Sequence, residues 1–274
     1  MKRTIRIGAL LGAVTALSAM AATGAEAQGI LDRLRQAASI ARTLLPISTE
    51  KEVEIGRGIA ATIAGRFPVS TDAALTRYVN LVGLTVASQD PRGDIIYHFA
   101  VLETPTVNAY AAPGGYVFVT RGALGLMQNE AELAGVLAHE VGHVNRKHVI
   151  NQIRKSDTMR EVRDQLDLQG ATLDRVVGTG ANALFMGLSR GDELEADSLG
   201  LEYASAAGYD PGGLGAFIAR LDQHAGEGPT AEFFATHPRP GERTERLTTI
   251  ASRENLPPGA VLADRFRESV GSAR

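Results

Sequence analysis

The chain has 274 residues, 44% hydrophobic and 22% charged, enough for one sizeable domain with its own core. It contains no cysteine, which excludes a disulfide framework, a thiolate nucleophile and any cysteine-held metal; an ion would have to be held by histidines and carboxylates. The formal charge of −3 argues against nucleic acid as a partner.

The chain opens on Lys2, Arg3 and Arg6, followed by an apolar run over 7–22 and the small-x-small pattern Ala25-Glu26-Ala27. The run falls short of the ~20 residues a spanning helix needs, so residues 1–27 read as a cleavable secretory signal. The expected mature protein has 25 basic and 30 acidic residues and resides in the periplasm. It carries no transmembrane segment, which leaves room for peripheral association with a membrane.

Residues 28–47 are expected as an N-terminal helix and linker, with Ile30, Leu34, Ala38, Ala41 and Leu45 at helical spacing and Pro46 ending it. Thr49 with Glu52 reads as a capping box opening a helix to about Ala64, and a second helix fits Thr71–Gln89. Residues 95–102 and 116–120, rich in β-branched and aromatic side chains, predict strands. Between them, Asn108 to Gly115 predicts a short strand ending in a turn, and Pro113 places it at a sheet edge.

Asn129 with Glu132 predicts the start of a helix reaching about Ile150. Residues 151–175 are charged and helix-prone, and 176–188 are apolar but too short to span a membrane. A strong helix is expected over Asp192–Ala206, then mixed helix and loop with a Pro/Gly cluster at 238–241. The organisation is thus signal (1–27), linker (28–47), one domain (48–250) and a C-terminal tail (251–274).

His139-Glu140-Val141-Gly142-His143 lies inside the helix that begins after Asn129. Positions four apart share a helical face, so both imidazoles can reach one ion, and Glu140 can address a water on it. The alternative is a pair of surface histidines on an ordinary helix. Leu133, Val136, Leu137, Val141 and Val144 make the segment a buried one instead, where unpaired His and Glu would be costly. His148, five residues on, falls about 140° round a continuous helix and is expected to point away. A metzincin would need Gly at 146 and His at 149, where this chain has Arg146 and Val149.

For the third ligand, Glu161 is a possible acid and Glu193 a better one. Glu193 lies on a helix with Asp197 one turn along, a spacing suited to a ligand carboxylate and an acid orienting a ligand imidazole. The same acids also read as a solvated face.

The blocks His139-Glu-Val-Gly-His143 with Val144 and His148, Glu193-Leu-Glu-Ala-Asp197, Asn108 through Arg121, and Thr236-His237-Pro238 through Arg243 together resemble peptidase family M forty-eight. That family includes the CaaX prenyl proteases, HtpX, BepA and LoiP. The resemblance covers roughly residues 48–250. It implies an α+β, mainly α gluzincin fold with a small antiparallel sheet packed on the active-site helices.

The resemblance further implies one zinc ion per chain on His139, His143 and Glu193, with Glu140 as general base. His237 would face the metal, as a switch or as a hydrogen-bond donor to the transition state. An extended substrate would pair with the backbone of Asn108, Ala109, Tyr110 and Ala111, with Arg243 also in the substrate site. The expected function is a metalloendopeptidase acting on unfolded or misfolded envelope proteins, in a branch without a tetratricopeptide domain. The alternative is a zinc-bound, chaperone-like periplasmic protein with little proteolysis; the intact Glu140 argues for the enzyme.

Overall fold

The computed structural model describes residues 47–156, 171–224, 228–237 and 240–271, together with 28, 29 and 33. The expected signal, most of the linker helix, Glu161 and Arg239 lie outside the described residues. In chain order the elements are α1 (Thr49–Arg66), α2 (Ala73–Ala87), β1 (His98–Leu102), β2 (Ala109–Ala112), β3 (Tyr116–Thr120), α3 (Arg121–Leu126) and α4 (Glu130–Asn145). Then follow α5 (His148–Lys155), α6 (Ala171–Met186), α7 (Arg190–Ala206), α8 (Gly213–Gln223), α9 (Ala231–Thr236), α10 (Pro240–Arg253) and α11 (Ala263–Gly271). Among the described residues no helix is long and apolar enough to cross a membrane.

The helix starts are chemically marked. Asp72, Asn129 and Ser189 each accept a backbone N–H of the first turn, and Asp192 closes a capping box with Ser189. At α1 the cap is Ser48 rather than Thr49, accepting from the Lys51 N–H. Glu52 therefore does not fold back on the cap; it turns into the protein, where Arg92 and Lys147 hold it.

The three strands run in the order β1-β3-β2. Strand β2 pairs antiparallel with β3 (Tyr110 opposite Phe118) and forms one edge of the sheet. The sheet is mixed rather than wholly antiparallel, because β1 pairs parallel with β3 (Ala100 opposite Phe118). Residues 103–108 cross over to the far edge before the chain hairpins back, so β1 and β3 enter from the same end. The hairpin turns through Pro113–Gly115, where Gly114 and Gly115 take φ of 75° and 93°.

Alternating residues on the strands face two separate cores. Phe99, Val101, Ala109, Ala111, Val117 and Val119 join the core formed with α2, α4, α7 and α8. Leu102, Tyr110, Ala112 and Phe118 join the one formed with α1, α5 and α6. Helix α4 runs through the centre, and every residue from Glu130 to Val144 is buried. The stretch after 250, expected as a tail, carries α11, whose Phe266 and Val270 are buried in the first core.

Candidate active site

Helices α4 and α7 form the frame of the site. Their closest approach is set by two glycines. A Cβ on Gly200 would stand 2.9 Å from the Cα of His139, and one on Gly142 would stand 3.2 Å from the Cβ of Leu199. With hydrogen at both positions the helices come close enough for Glu193, at the start of α7, to reach the histidines of α4.

His139, His143 and Glu193 converge. His139 Nε2 and His143 Nε2 lie 3.0 Å apart, and Glu193 oxygens lie 3.6 and 3.4 Å from them. A tetrahedral ion with bonds of about 2.0–2.2 Å requires donors about 3.3–3.6 Å apart; both carboxylate–imidazole spacings meet this, and the two imidazoles stand slightly closer than a bound zinc would set them. Glu193 Oε1 is buried without a hydrogen-bond partner. An orphaned carboxylate oxygen 3.4 Å from one imidazole nitrogen, its twin 3.6 Å from the other, suits a cation. Among the described residues this is the group of three or more metal-type side chains close enough to share an ion.

The electrostatics follow from burial. Desolvation pushes the His139 imidazolium down, but Asp197 and Glu193 outweigh it and lift the group to about 9. Of these two carboxylates, Glu193 is the one placed among the imidazole nitrogens, where its charge suits a divalent ion. Burial raises the Glu140 carboxyl above the usual glutamate range, with the neighbouring cationic groups opposing. For Glu193 burial also works upward, but His237 and His139 hold it well below the usual range.

Asp197 Oδ1 lies 3.0 Å from His139 Nδ1, bent from ideal hydrogen-bond geometry. Arg243, expected in the substrate site, lines a pocket with Asn108 and is engaged with Asp197: its Nε and Nη2 donate to the two carboxylate oxygens at 2.8 and 2.7 Å. Its pairing partner lay out of reach of sequence reasoning because the two residues are 46 positions apart on different helices. The remaining nitrogen, Nη1, stands 3.9 Å from Glu193.

His237 ends α9 with its Nδ1 2.6 Å from Glu193 Oε2 and its ring stacked on Phe233 at 4.5 Å. It borders two narrow apolar pockets that meet at Glu140. One is lined by Asn108, Val136, Phe217 and Phe233, the other by Tyr110, Ala111, Leu184 and Leu188. The edge strand β2 thus runs along the cleft that contains the motif. Asn108 turns its Oδ1 to the Ala109 N–H and donates from Nδ2 to Thr236 at 3.4 Å.

His148 departs from expectation. The helix does not continue to Ile150: it ends at Asn145, and Lys147 takes a left-handed conformation, φ 55°. The bend returns His148 to the histidine pair, its Nδ1 2.8 Å from His143 Nδ1. A non-glycine residue at positive φ carries no mark in the sequence, so a continuous helix was the natural reading.

The profile of Peptidase family M48 matches residues 73–251. The chain belongs to this family. Among family relatives, the beta-barrel assembly-enhancing protease of Yersinia pestis is 27% identical over 263 residues, 88% of this chain and 52% of that protein. The mitochondrial metalloendopeptidase OMA1 of Schizosaccharomyces pombe is 32% identical over 177 residues, 63% of this chain and 52% of its own length. The metalloprotease YcaL of Escherichia coli is 31% identical over 161 residues, 55% of this chain and 60% of that protein. The chain spans about half the length of these curated relatives.

Proposed function

We propose that the chain is a periplasmic zinc endopeptidase that cleaves unfolded or misfolded envelope proteins, with His139, His143 and Glu193 as zinc ligands. The observation that carries the reading is the convergence of these three side chains around a buried, unpartnered carboxylate oxygen, with Glu140 beside them. The envelope role draws its support from the names of the beta-barrel assembly-enhancing relatives, and the location from the N-terminal signal pattern.

When bound, the metal supplies a water of lowered pKa and polarises the scissile carbonyl. Glu140 takes the proton of the attacking water on its carboxylate and delivers it to the departing amide nitrogen. Its burial, which lifts its pKa, suits it to both halves of that transfer. Asp197 holds the His139 ring through Nδ1, leaving Nε2 for the ion. The edge strand Ala109–Ala112 pairs with an extended substrate, a mode that favours internal cleavage.

His237 covers the site in the form described. Glu140 and the three ligand side chains are at most 3% exposed, and His237 closes over them against Glu193. His237→Ala is therefore expected to raise the hydrolysis of an unstructured peptide several-fold. A fall of about 10²–10³ in kcat would assign it instead to a donor on the developing oxyanion. The reading as a whole is tested by casein digestion with and without a chelator, followed by zinc add-back. Chelator-insensitive cleavage, or none on zinc add-back, would reject it.

A further inference from the structure

His139 and His143 are braced by different chemistry, and only the brace of His139 is accounted for by a carboxylate. Resting on the metal reading above, we infer that His148 is the positioning residue for His143, relaying to it the carboxylates of the first turns of α7.

The local geometry restricts how this can work. His148 is 2% exposed, and its ring meets that of His143 edge-on, with centroids 4.9 Å apart. Two Nδ1 atoms 2.8 Å apart share one proton. His143 presents Nε2 to the donor cluster, 3.0 Å from His139 Nε2 and 3.4 Å from Glu193. A ligand nitrogen needs a free lone pair, so the proton of His143 sits on Nδ1 and is donated to His148 Nδ1. His148 must then carry its own proton on Nε2. That atom faces carboxylates: Glu195 Oε2 at 3.3 Å and Asp192 Oδ1 at 3.7 Å. With His143 Nε2 given to the ion, the contacts leave one tautomer for each ring, Nδ1–H on His143 and Nε2–H on His148.

The bend that delivers His148 is itself held. Lys147 Nζ lies 2.8 Å from Glu52, and Arg92, bound to both Glu52 oxygens, donates from Nη1 to the Val144 carbonyl at 3.1 Å. A histidine present only to fill space would need neither the matched tautomers nor acids on its far nitrogen.

The test uses the full chain and zinc itself as the probe. Zinc affinity is measured by chelator competition for the wild type, His148→Phe, His148→Asn and Glu195→Gln, beside the melting temperature of each metal-stripped form. His148→Phe keeps the ring volume but removes the acceptor, and is expected to weaken zinc binding about 10–100-fold. His148→Asn restores an acceptor and is expected to recover most of that loss, while Glu195→Gln loses a few-fold. A folded His148→Phe chain that holds zinc within about threefold of the wild type overturns the proposal. Nitrogen-15 NMR of the wild type decides independently of any variant: Nδ1–H on His143 with Nε2–H on His148 supports it, and the reverse assignment sinks it. Absence of zinc binding in the wild type would instead sink the metal reading, and is distinguishable from loss in the variant alone.

Discussion

The two histidines of the motif sit one helical turn apart, yet they stand in unlike surroundings. On the His139 side the support is ionic and enclosed: Asp197 is fully buried and clamped by Arg243, itself 2% exposed. On the His143 side it is a second imidazole, His148, leading outward to Glu195, which is 47% exposed. A buried ion pair is costly to break because the remaining charge has no partner, whereas a relay ending at the rim can be repaired by water. The difference implies that the His139 half is the rigid part of the site and the His143 half the adjustable one.

Substitutions separate the two halves. Arg243→Leu leaves Asp197 charged in the interior with only its bent contact to His139, and is expected to cost about 3–5 kcal/mol of stability, together with most of the metal affinity. Urea denaturation and metal analysis read both. A cost below about 1 kcal/mol would mean that the His139 half is not held by this pair.

Glu52→Gln acts on the other half through the bend at Lys147, and is expected to cost about 1–3 kcal/mol. Burial opposes the Glu52 charge, but Arg92 and Lys147 prevail and keep its carboxyl below the usual 4.5. Its contribution is therefore complete above pH 4.5 and is lost as pH falls through the lowered folded-state value. Melting temperatures of wild type and variant should differ at pH 7 and draw together in acid; a constant gap would contradict the assignment. Glu195→Gln, at the rim, is expected to change stability by less than about 0.5 kcal/mol.

The same division separates what the sequence revealed from what it concealed. The α4 motif, its Asn129 cap and the pairing of Glu193 with Asp197 along α7 are local patterns, readable from spacings of three and four. The edge position of β2 was readable from Pro113. The bend after Asn145 was not, because it depends on Glu52 and Arg92, which reach Lys147 and Val144 from far away in the chain. With it went the place of His148, which a continuous helix would have turned outward. The Arg243–Asp197 clamp was hidden for the same reason, and the parallel pairing of β1 with β3 depends on a crossover that strand patterns do not encode.

The central claim is that Glu140 acts on a water held by an ion on His139, His143 and Glu193. The most direct measurement is zinc content and casein cleavage of Glu140→Gln beside Glu193→Ala. The account predicts about one zinc per chain and no cleavage for Glu140→Gln, and depleted zinc for Glu193→Ala. Cleavage at the wild-type rate by Glu140→Gln, or full zinc retention by Glu193→Ala, would contradict it.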